Sequence, residues 1–211
     1  MYIPNSFREN DQSLLHELMR QYSFAILVTQ HDGAPFATHL PFLLDAERGQ
    51  YGTLLAHMAR ANPQWRGFAS GQPALVIFQG PHAYVSPSWY EVAPSVPTWN
   101  YATVHAYGVP RIVEEREALE AMLVRLVDTH EATFERPWRV ELTDDYLDKM
   151  TRAIVGFEIE ITRLEGKFKL SQNRSENDQR RVAEALAQSE QALDVGMAEL
   201  MQEMCPALVD S

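Results

Sequence analysis

Two runs of basic and polar side chains are candidates for binding an anion. In the first, His57 and Arg60 precede a predicted helix start at Asn62-Pro63, where free backbone N–H groups and the helix dipole favour a phosphate. The second run mixes cations with hydroxyl and amide groups, a combination that suits a phosphate and the polar edge of a ring. Its members are Lys167, Lys169, Ser171, Gln172, Asn173 and Arg174. The alternatives are that Arg60 pairs with a surface carboxylate and that the second run is a solvated loop.

Aromatic residues in a third segment offer flat surfaces to a ligand. Trp99 and Tyr101 could stack on a conjugated ring, while Asn100, Thr103 and His105 could hydrogen-bond to its edge. The alternative is that these aromatic side chains pack in the core, the commoner place for Trp and Tyr in strands.

Spacing places further polar side chains together. The strand period of two puts Tyr84 and Ser86 on one face, and Thr103 and His105 on another, with the valine between each pair turned away. One side of each predicted strand therefore faces solvent or a ligand.

Signature motifs of several enzyme classes do not occur in the sequence. There is no Gly-x-Gly-x-x-Gly, P-loop, His-Glu-x-x-His or Gly-x-Ser-x-Gly pattern, which argues against Rossmann, P-loop, zincin and elbow-type serine chemistry. The seven histidines form no close pair at ligand spacing, and Cys205 is the only cysteine. No permanent metal site is predicted, although one histidine could serve as a haem ligand.

The composition fits one compact domain with an appendage. The chain has 211 residues, against roughly 150 per domain, and 45% of them are hydrophobic. A formal net charge of −11 repels nucleic acids and anionic membranes on average. The lone cysteine, with no signal peptide or membrane span in the sequence, predicts a cytoplasmic protein without membrane association.

The hydrophobic pattern predicts short strands joined by turns. Asp32-Gly33 predicts a hairpin turn, and Asn62 and Pro63 predict a capped helix start. The predicted strands are 23–29, one through 38–42, 50–58, 72–78, 82–86, 100–113 and 153–164. The predicted helices are one capped by Asn10 or Asp11, 64–69, 114–132, 143–151 and 175–204.

These elements predict an α+β protein that is mainly antiparallel β: a barrel with peripheral helices and a C-terminal helix. We expect residues 1–172 to form the barrel domain with its peripheral helices. Residues 173–211 are expected to form a C-terminal helical extension.

Long blocks rich in uncommon residues resemble the PaiB-type family of FMN-binding negative transcriptional regulators. The blocks are Phe78-Gln79-Gly80-Pro81-His82-Ala83-Tyr84, Ser88-Trp89-Tyr90 and Val96-Pro97-Thr98-Trp99-Asn100-Tyr101. The likeness runs from Met1-Tyr2-Ile3-Pro4 through Ala37-Thr38-His39-Leu40-Pro41 to Lys169-Leu170-Ser171-Gln172-Asn173-Arg174. It covers nearly the whole barrel and is far more specific than a short motif.

The resemblance implies a split β-barrel of the flavin-reductase and pyridoxamine-phosphate-oxidase kind. It implies a homodimer with cofactor pockets at the subunit interface, FMN as cofactor, and repression of genes for sporulation and extracellular proteases. Split-barrel relatives also include flavin oxidoreductases and haem-binding proteins, so haem is the alternative cofactor and the fold alone does not fix the function.

Residue roles follow from the same resemblance. It implies that residues 57–62 and 167–173 supply phosphate and ribityl contacts, while Trp99, Asn100, Tyr101 and Thr103 flank the ring. The complete predicted cofactor site is His57, Arg60, Asn62, Tyr84, Ser86, Trp99, Asn100, Tyr101, Thr103, Lys167, Lys169, Ser171, Gln172 and Asn173. His105 is the candidate proton donor near the ring, with a structural, hydrogen-bonded histidine as the alternative.

Two functions are compatible with this site. The first is an FMN-binding, PaiB-like negative transcriptional regulator or redox sensor; the alternative is an FMN- or haem-dependent oxidoreductase acting on a small molecule. No residue stands out as an obligate acid, base or nucleophile, because a flavin brings its own redox chemistry. A member that had lost its cofactor would serve as a dimeric interaction module. Because the chain is acidic and has no clear helix-turn-helix pattern, we expect the isolated protein to bind DNA weakly or not at all.

Overall fold

The computed structural model describes residues 1–138 and 144–205. The chain divides into two compact units. Unit 1 contains Met1–Leu18, Gln79–Val104 and the chain from Glu165 onward, and unit 2 contains Met19–Phe78 and His105–Leu164.

Strands and helices follow one another along the whole described chain. The strands are β1 (Arg8–Glu9), β2 (Phe24–His31), β3 (Ala34–Pro41), β4 (Leu43–Asp45), β5 (Thr53–Ala59), β6 (Ala74–Val85), β7 (Thr98–Gly108), β8 (Pro110–Ile112), β9 (Ile154–Glu160) and β10 (Arg163–Lys169). The α-helices are α1 (Gln12–Gln21), α2 (Arg116–Glu131), α3 (Asp144–Arg152), α4 (Glu176–Ala187) and α5 (Ala192–Met204). The strand orders are β1-β10-β7-β6-β2-β3 and β4-β5-β9-β8.

A two-residue hairpin joins β2 and β3 in unit 2. The strands pair antiparallel from Phe24 opposite Pro41 to His31 opposite Ala34. The turn residues Asp32 and Gly33 have φ of 49° and 78°, the positive values that a tight primed turn requires. The predicted hairpin is therefore confirmed.

The second sheet of unit 2 carries helix α2 on one side. Antiparallel pairing places β5 and β8 on either side of β9. Leu43 and Leu55 of the sheet are buried together with Leu119 and Met122 of α2. A Cβ on Gly156 of β9 would lie 2.5 Å from Leu119 Cδ1, so the missing side chain lets α2 approach the sheet.

Unit 1 is built from the first helix, the halves of β6 and β7 that lie in it, and the last two helices. Strand β1 pairs with β10, placing Arg8 opposite Lys167. Helices α4 and α5 bury apolar side chains at helical spacing. These include Val182, Leu186, Met197 and Met201.

Two sequence-predicted helix caps are present. Asp11 rather than Asn10 caps α1, since its Oδ1 accepts from the Ser13 amide at 2.8 Å. The Asn62 side chain accepts from the Gln64 amide at 3.0 Å and begins a 3₁₀ helix at Pro63–Ser70.

Two predicted strand boundaries are wrong in the middle of the chain. The strands predicted for 72–78 and 82–86 are one strand, β6 (Ala74–Val85), because Gly80-Pro81 continues the strand rather than turning it. The single strand predicted for 100–113 is divided into β7 and β8.

Two further boundaries are wrong near the C-terminus. The strand predicted for 153–164 is replaced by β9 and β10, since Ile161 and Thr162 bond to Gly52 and Tyr107 at a bend. The single helix predicted for 175–204 is divided into α4 and α5. The first helix ends at Ala187, and in the link that follows the Ser189 hydroxyl bonds to Asp194 at 2.7 Å, a local side-chain bond of the kind that favours turns over helix.

The remaining predicted helices agree with the structure. Residues 116–131 form α2 and residues 144–152 form α3; Thr143, which was included in the second prediction, lies outside the described residues. Among the described residues no helix is long and apolar enough to cross a membrane.

Candidate cofactor-binding site

An open pocket of about 310 Å³ lies in unit 1, between side chains of β6 and β7. It is lined by Gln79, His82, Trp99, Tyr101, Ala102 and Thr103. None of these side chains is a carboxylate or a basic cation, so the pocket suits an uncharged group.

Alternation along β7 determines which aromatic side chains reach this pocket. Trp99 is 53% exposed, whereas its neighbour Asn100 is completely buried. Tyr84 of β6, itself 47% exposed, meets Trp99 edge to face with ring centroids 5.9 Å apart. Exposed, mutually braced aromatic rings are suitable surfaces for stacking a planar ligand.

Three cations gather in the same unit. Lys167 is only 8% exposed, and its ammonium lies 5.0 Å from the ring centroid of Tyr101 and 5.6 Å from that of Tyr2. In the part of the chain that the structure describes, this ammonium forms no hydrogen bond or ion pair. Lys167 is a largely buried residue whose ammonium still reaches solvent and has rings rather than an acceptor beside it in the described chain, so an anion there would supply the missing partner. Tyr101 touches both this cation and the pocket.

Lys169 differs from Lys167 in having protein partners. Its ammonium donates to Thr98 Oγ1 at 2.6 Å and to the Trp99 carbonyl. Burial lowers the pKa of Lys169, and the charges of Lys167 and Arg174 lower that pKa further. Burial alone would lower this pKa, and the two neighbouring cations act in the same direction.

The third cation is Arg174, whose guanidinium carbon lies 4.2 Å from the ring centroid of Tyr90. No carboxylate within residues 1–138 and 144–205 pairs with Lys167, Lys169 or Arg174. In a chain with a net charge of −11, such a group is a candidate anion site.

The polar side chains at 171 and 172, directly after β10, form hydrogen bonds within the protein. Ser171 is buried, has φ of 67°, and shares hydrogen bonds with the Asn100 side chain at 2.9 and 3.2 Å. Gln172 accepts from the Leu170 amide at 2.7 Å and donates to the Phe168 carbonyl. Asn173 is exposed.

Asn100 is therefore placed differently from its aromatic neighbours. Its amide contacts Ser171 and the Met201 sulfur, 3.5 Å away, and it does not line the pocket. Thr103 does line the pocket. Ser86 caps the 3₁₀ turn Pro87–Trp89 by accepting from the Ser88 amide.

The predicted residues His57, Arg60 and Asn62 belong to unit 2. Arg60 donates to the carbonyls of Arg152 and Ile154, both at 2.7 Å, rather than to a surface carboxylate. Asn62 caps its helix and donates to Thr38 at 3.0 Å. His57 differs, because its buried Nδ1 has no hydrogen-bond partner within the described chain, and burial lowers its pKa.

His105 also lies in unit 2, next to Tyr107 with ring centroids 6.3 Å apart. It is half-buried and is not among the pocket-lining residues of unit 1. Gln79 and His82, which do line that pocket, were not predicted as site residues. Within the described residues, no group of three or more His, Cys, Asp or Glu side chains could hold a metal ion.

Comparisons with known proteins identify relatives of this chain. Residues 1–163 match the family model described as "Putative FMN-binding domain". The protease synthase and sporulation protein PAI 2 of Bacillus subtilis is 38% identical over 205 residues, which cover 96% of this chain and 97% of that protein. An uncharacterized protein of Emericella nidulans is 33% identical over 218 residues, covering 84% of this chain and 87% of its own.

Solved structures share the fold at low sequence identity. The FAD and haem binding protein of Mycobacterium smegmatis superposes with a TM-score of 0.59 at 20% identity, covering 77% of this chain and 73% of that one. The flavocytochrome Anf3 of Azotobacter vinelandii gives 0.60 at 16% identity, covering 77% and 69%. The predicted fold class, mainly antiparallel α+β of the flavin-binding split-barrel kind, is confirmed. By its sequence match and its relatives, the chain belongs to the PaiB-type FMN-binding-domain family.

Proposed function

We propose that this protein binds FMN in unit 1 and acts as a flavin-dependent negative regulator or redox sensor. The flavin ring would lie in the pocket against Trp99 and Tyr101, and the phosphate would lie at Lys167, Lys169 and Arg174. The observation that carries this proposal is Lys167, a residue only 8% exposed, whose ammonium has no acceptor in the described chain and lies beside the pocket-lining Tyr101.

The charges of the two parts match the two ends of FMN. A phosphate monoester carries about −1.5 to −2 charge at pH 7 and would offset the repulsion among the three cations. The pKa of Lys169 is lowered by burial and then by the charges of Lys167 and Arg174. The pocket lining carries no carboxylate, lysine or arginine, which is compatible with a flavin ring. In unit 2, Arg60 and Asn62 already have protein partners, whereas His57 Nδ1 has none within the described chain.

Bound FMN would supply the redox chemistry. The chain's own residues would hold the ring between aromatic side chains and anchor the phosphate. The lining contains His82 and Tyr101 but no carboxylate or thiol, so acid–base work on a substrate would fall to those two side chains. The name of the Bacillus subtilis relative, which links that protein to protease synthesis and sporulation, supports regulation.

A second candidate is an oxidoreductase that uses FMN or haem. The exposed surfaces of Trp99 and Tyr84 favour it, because a small substrate could reach a ring bound against them. Purified protein with FMN would separate the two candidates in an NAD(P)H oxidation assay with common acceptors. Sustained turnover supports the enzyme, and FMN binding without turnover supports the regulator; haemin titration tests the alternative cofactor.

A second copy of the chain is the proposed partner. Outward positions of β2, β3 and β6 form a half-exposed face in unit 2 that carries no Asp, Glu, Lys or Arg. Its members are Phe24, Ile26, Val28, Gln30, Pro35, Ala37, His39, Pro41, Leu75 and Ile77. In a chain of net charge −11, a charge-free face is where two copies approach with least repulsion. The family resemblance further implies that the cofactor pocket depends on this homodimer.

The regulatory role would operate in the cytoplasm and through a partner rather than by direct DNA contact. The net charge of −11 opposes binding to a phosphate backbone, and the proposed FMN phosphate would occupy the cations of unit 1. A gel-shift assay at moderate salt should show no tight retention of operator DNA by the isolated protein. Tight, sequence-dependent retention would overturn this part of the proposal.

Titration with FMN, followed by quenching of flavin fluorescence, tests the binding proposal. Loss of one charge-assisted hydrogen bond, worth roughly 1.5–3 kcal/mol, should weaken FMN binding of Lys167→Met about 10- to 100-fold. Lys149→Met, on the exposed side of α3, is the matched control and should bind as wild type. The proposal fails if wild type does not bind FMN or if both variants bind it equally well.

A further inference from the structure

The alternation of buried and exposed side chains along β6 is interrupted in the middle of the strand. Up to Phe78 the buried residues alternate, but Gly80 and Pro81 are buried in succession, and alternation resumes with Ala83. Two side chains three positions apart, Gln79 and His82, therefore lie on the same side of the strand and both line the pocket. An irregularity of this kind re-aims side chains, often next to a binding site.

Gly80 makes this change possible. A Cβ at this position would lie 3.2 Å from the Ala102 carbonyl oxygen and 3.1 Å from Leu18 Cδ1, tighter than ordinary van der Waals contact. Without a side chain, β6 comes close to β7. Gln79 and His82 thereby lie beside Ala102 and Thr103 in one lining.

The two side chains are connected by a hydrogen bond. Gln79 Nε2 lies 3.4 Å from His82 Nδ1. In this orientation the Gln79 amide nitrogen donates, so Nδ1 is the acceptor and the tautomer that fits the contact carries its ring proton on Nε2. His82 also leans against Trp99, with centroids 6.2 Å apart and planes at 39°, which limits the ring's rotation.

We propose that His82 is the hydrogen-bond donor that recognises a carbonyl or ring nitrogen at the edge of a planar, uncharged ring in this pocket. Gln79 is the positioning residue that fixes the tautomer. This inference rests on the proposed function, because it assigns the flavin ring to the pocket of unit 1. In this assignment His82 recognises the ring, whereas Lys167 recognises the phosphate.

The chemistry predicts a defined selectivity. The Nε2–H group would donate to a carbonyl of lumiflavin, riboflavin or FMN alike, since the three share the ring and differ only in the tail. Removal of this donor should weaken all three by the same factor. The Lys167 substitution should weaken FMN alone.

Titration of wild type, His82→Phe and His82→Gln with lumiflavin and FMN tests the inference. His82→Phe keeps a flat ring without the donor, and loss of one neutral hydrogen bond of about 1 kcal/mol should weaken both ligands roughly fivefold. His82→Gln restores an N–H donor and should bind both ligands more tightly than His82→Phe. His130→Phe, on the exposed last turn of α2, is the matched control, and circular dichroism monitors folding of each variant.

Each outcome decides between the two proposals. If His82→Phe binds lumiflavin as tightly as wild type, or if only FMN binding is weakened, the role of His82 is wrong. If wild type binds FMN no more tightly than lumiflavin while His82→Phe weakens both, the phosphate site fails and the role of His82 stands. If wild type does not bind lumiflavin up to its solubility limit, both the ring pocket and the role of His82 are wrong.

Discussion

At the scale of single residues, two lysines on one strand have different contacts. Lys167 and Lys169 are two positions apart on β10 and therefore share a face. The Lys169 ammonium donates to Thr98 and to the Trp99 carbonyl, which fixes the start of β7 and the indole that it carries. Lys167 has rings around it but no acceptor in the described chain. Its ammonium is the one left available to an anion.

Asn100 illustrates a predicted ligand contact that maintains the fold. Asn100→Ala should lower the free energy of unfolding by roughly 1–3 kcal/mol, because it leaves buried polar partners unsatisfied; those partners are Ser171 and Met201. Urea denaturation measures the change. Asn173→Ala, at an exposed position, should stay within about 0.5 kcal/mol of wild type. Equal stabilities of the two variants would contradict the structural role.

His57 should make stability depend on pH. Burial lowers the folded-state pKa of His57 below its ordinary value of 6.5, so at mildly acidic pH the unfolded chain binds a proton that the folded protein does not. The free energy of unfolding should therefore fall as pH decreases through 6.5 toward the folded-state pKa.

Denaturation of His57→Gln at a series of pH values measures this contribution. The loss of stability of wild type below pH 6.5 should be smaller in the variant, because the glutamine does not titrate. His130→Gln, exposed on α2, should retain the wild-type profile. A steeper acid loss in His57→Gln than in wild type would show that the pKa shift has the opposite sign.

At the scale of elements, helix α4 holds the segment between β6 and β7. Asp178 is 3% exposed, and its Oδ1 accepts from the Glu91 amide at 2.8 Å. Arg181 lies 3.7 Å from the Glu91 carboxylate, and Arg174, just before α4, stacks on Tyr90. Helix α4 thus helps to position the side chains around the cations Lys167, Lys169 and Arg174.

Asp178→Ala tests this anchor. Loss of the acceptor leaves the Glu91 amide unsatisfied and should lower the free energy of unfolding by about 1–3 kcal/mol. Asp178→Asn keeps an acceptor oxygen and should recover part of the loss. Glu176→Ala, exposed in the same first turn, is the control. If Asp178→Ala denatures in urea like the control, α4 does not anchor the segment.

Elements with a local chemical signal could be predicted from the sequence. Asp32-Gly33 and Asn62-Pro63 contain their own turn and cap chemistry, and both are where the sequence placed them. The continuity of β6 through Gly80-Pro81 could not be predicted, because its cause is the nearby Ala102 backbone. Strand pairing of this kind overrides the local turn preference.

Only part of the candidate site could be predicted from the sequence. Residue types identified Trp99, Tyr101 and the lysines as suited to a ring and a phosphate. Because side chains alternate along β7, Asn100 and Trp99 must point to opposite faces of the strand. Assigning both to one site by residue type ignored this alternation. Gln79 and His82 share a face only because β6 is irregular, and no spacing rule indicates that.

At the scale of the whole molecule, the net charge and the charge-free face of β2, β3 and β6 would govern the proposed association of two copies. The net charge is −11, whereas the outward positions of β2 and β3, such as Ile26, Val28 and His39, carry no carboxylate or basic cation. In the proposed dimer, bulk repulsion and a neutral face would together favour one specific pairing over non-specific aggregation.

Val28→Glu should convert the proposed dimer to a monomer, because the buried carboxylates of two copies would lack partners. Sedimentation velocity measures the change. Val124→Glu, at a 58% exposed position on α2, is the matched control and should leave the dimer intact. FMN titration of the monomeric variant then tests whether the pocket needs the second copy. A wild-type protein that sediments as a monomer at high concentration would rule out the interface.

The most direct test of the central claim is the ratio of FMN to riboflavin affinity in wild type and Lys167→Met. Riboflavin lacks only the phosphate, so the ratio isolates recognition of that group from recognition of the ring. We expect wild type to prefer FMN, and we expect Lys167→Met to lose roughly tenfold or more of that preference while its riboflavin affinity stays unchanged. An equal preference for FMN in both proteins would contradict the claim that Lys167 is part of the phosphate site.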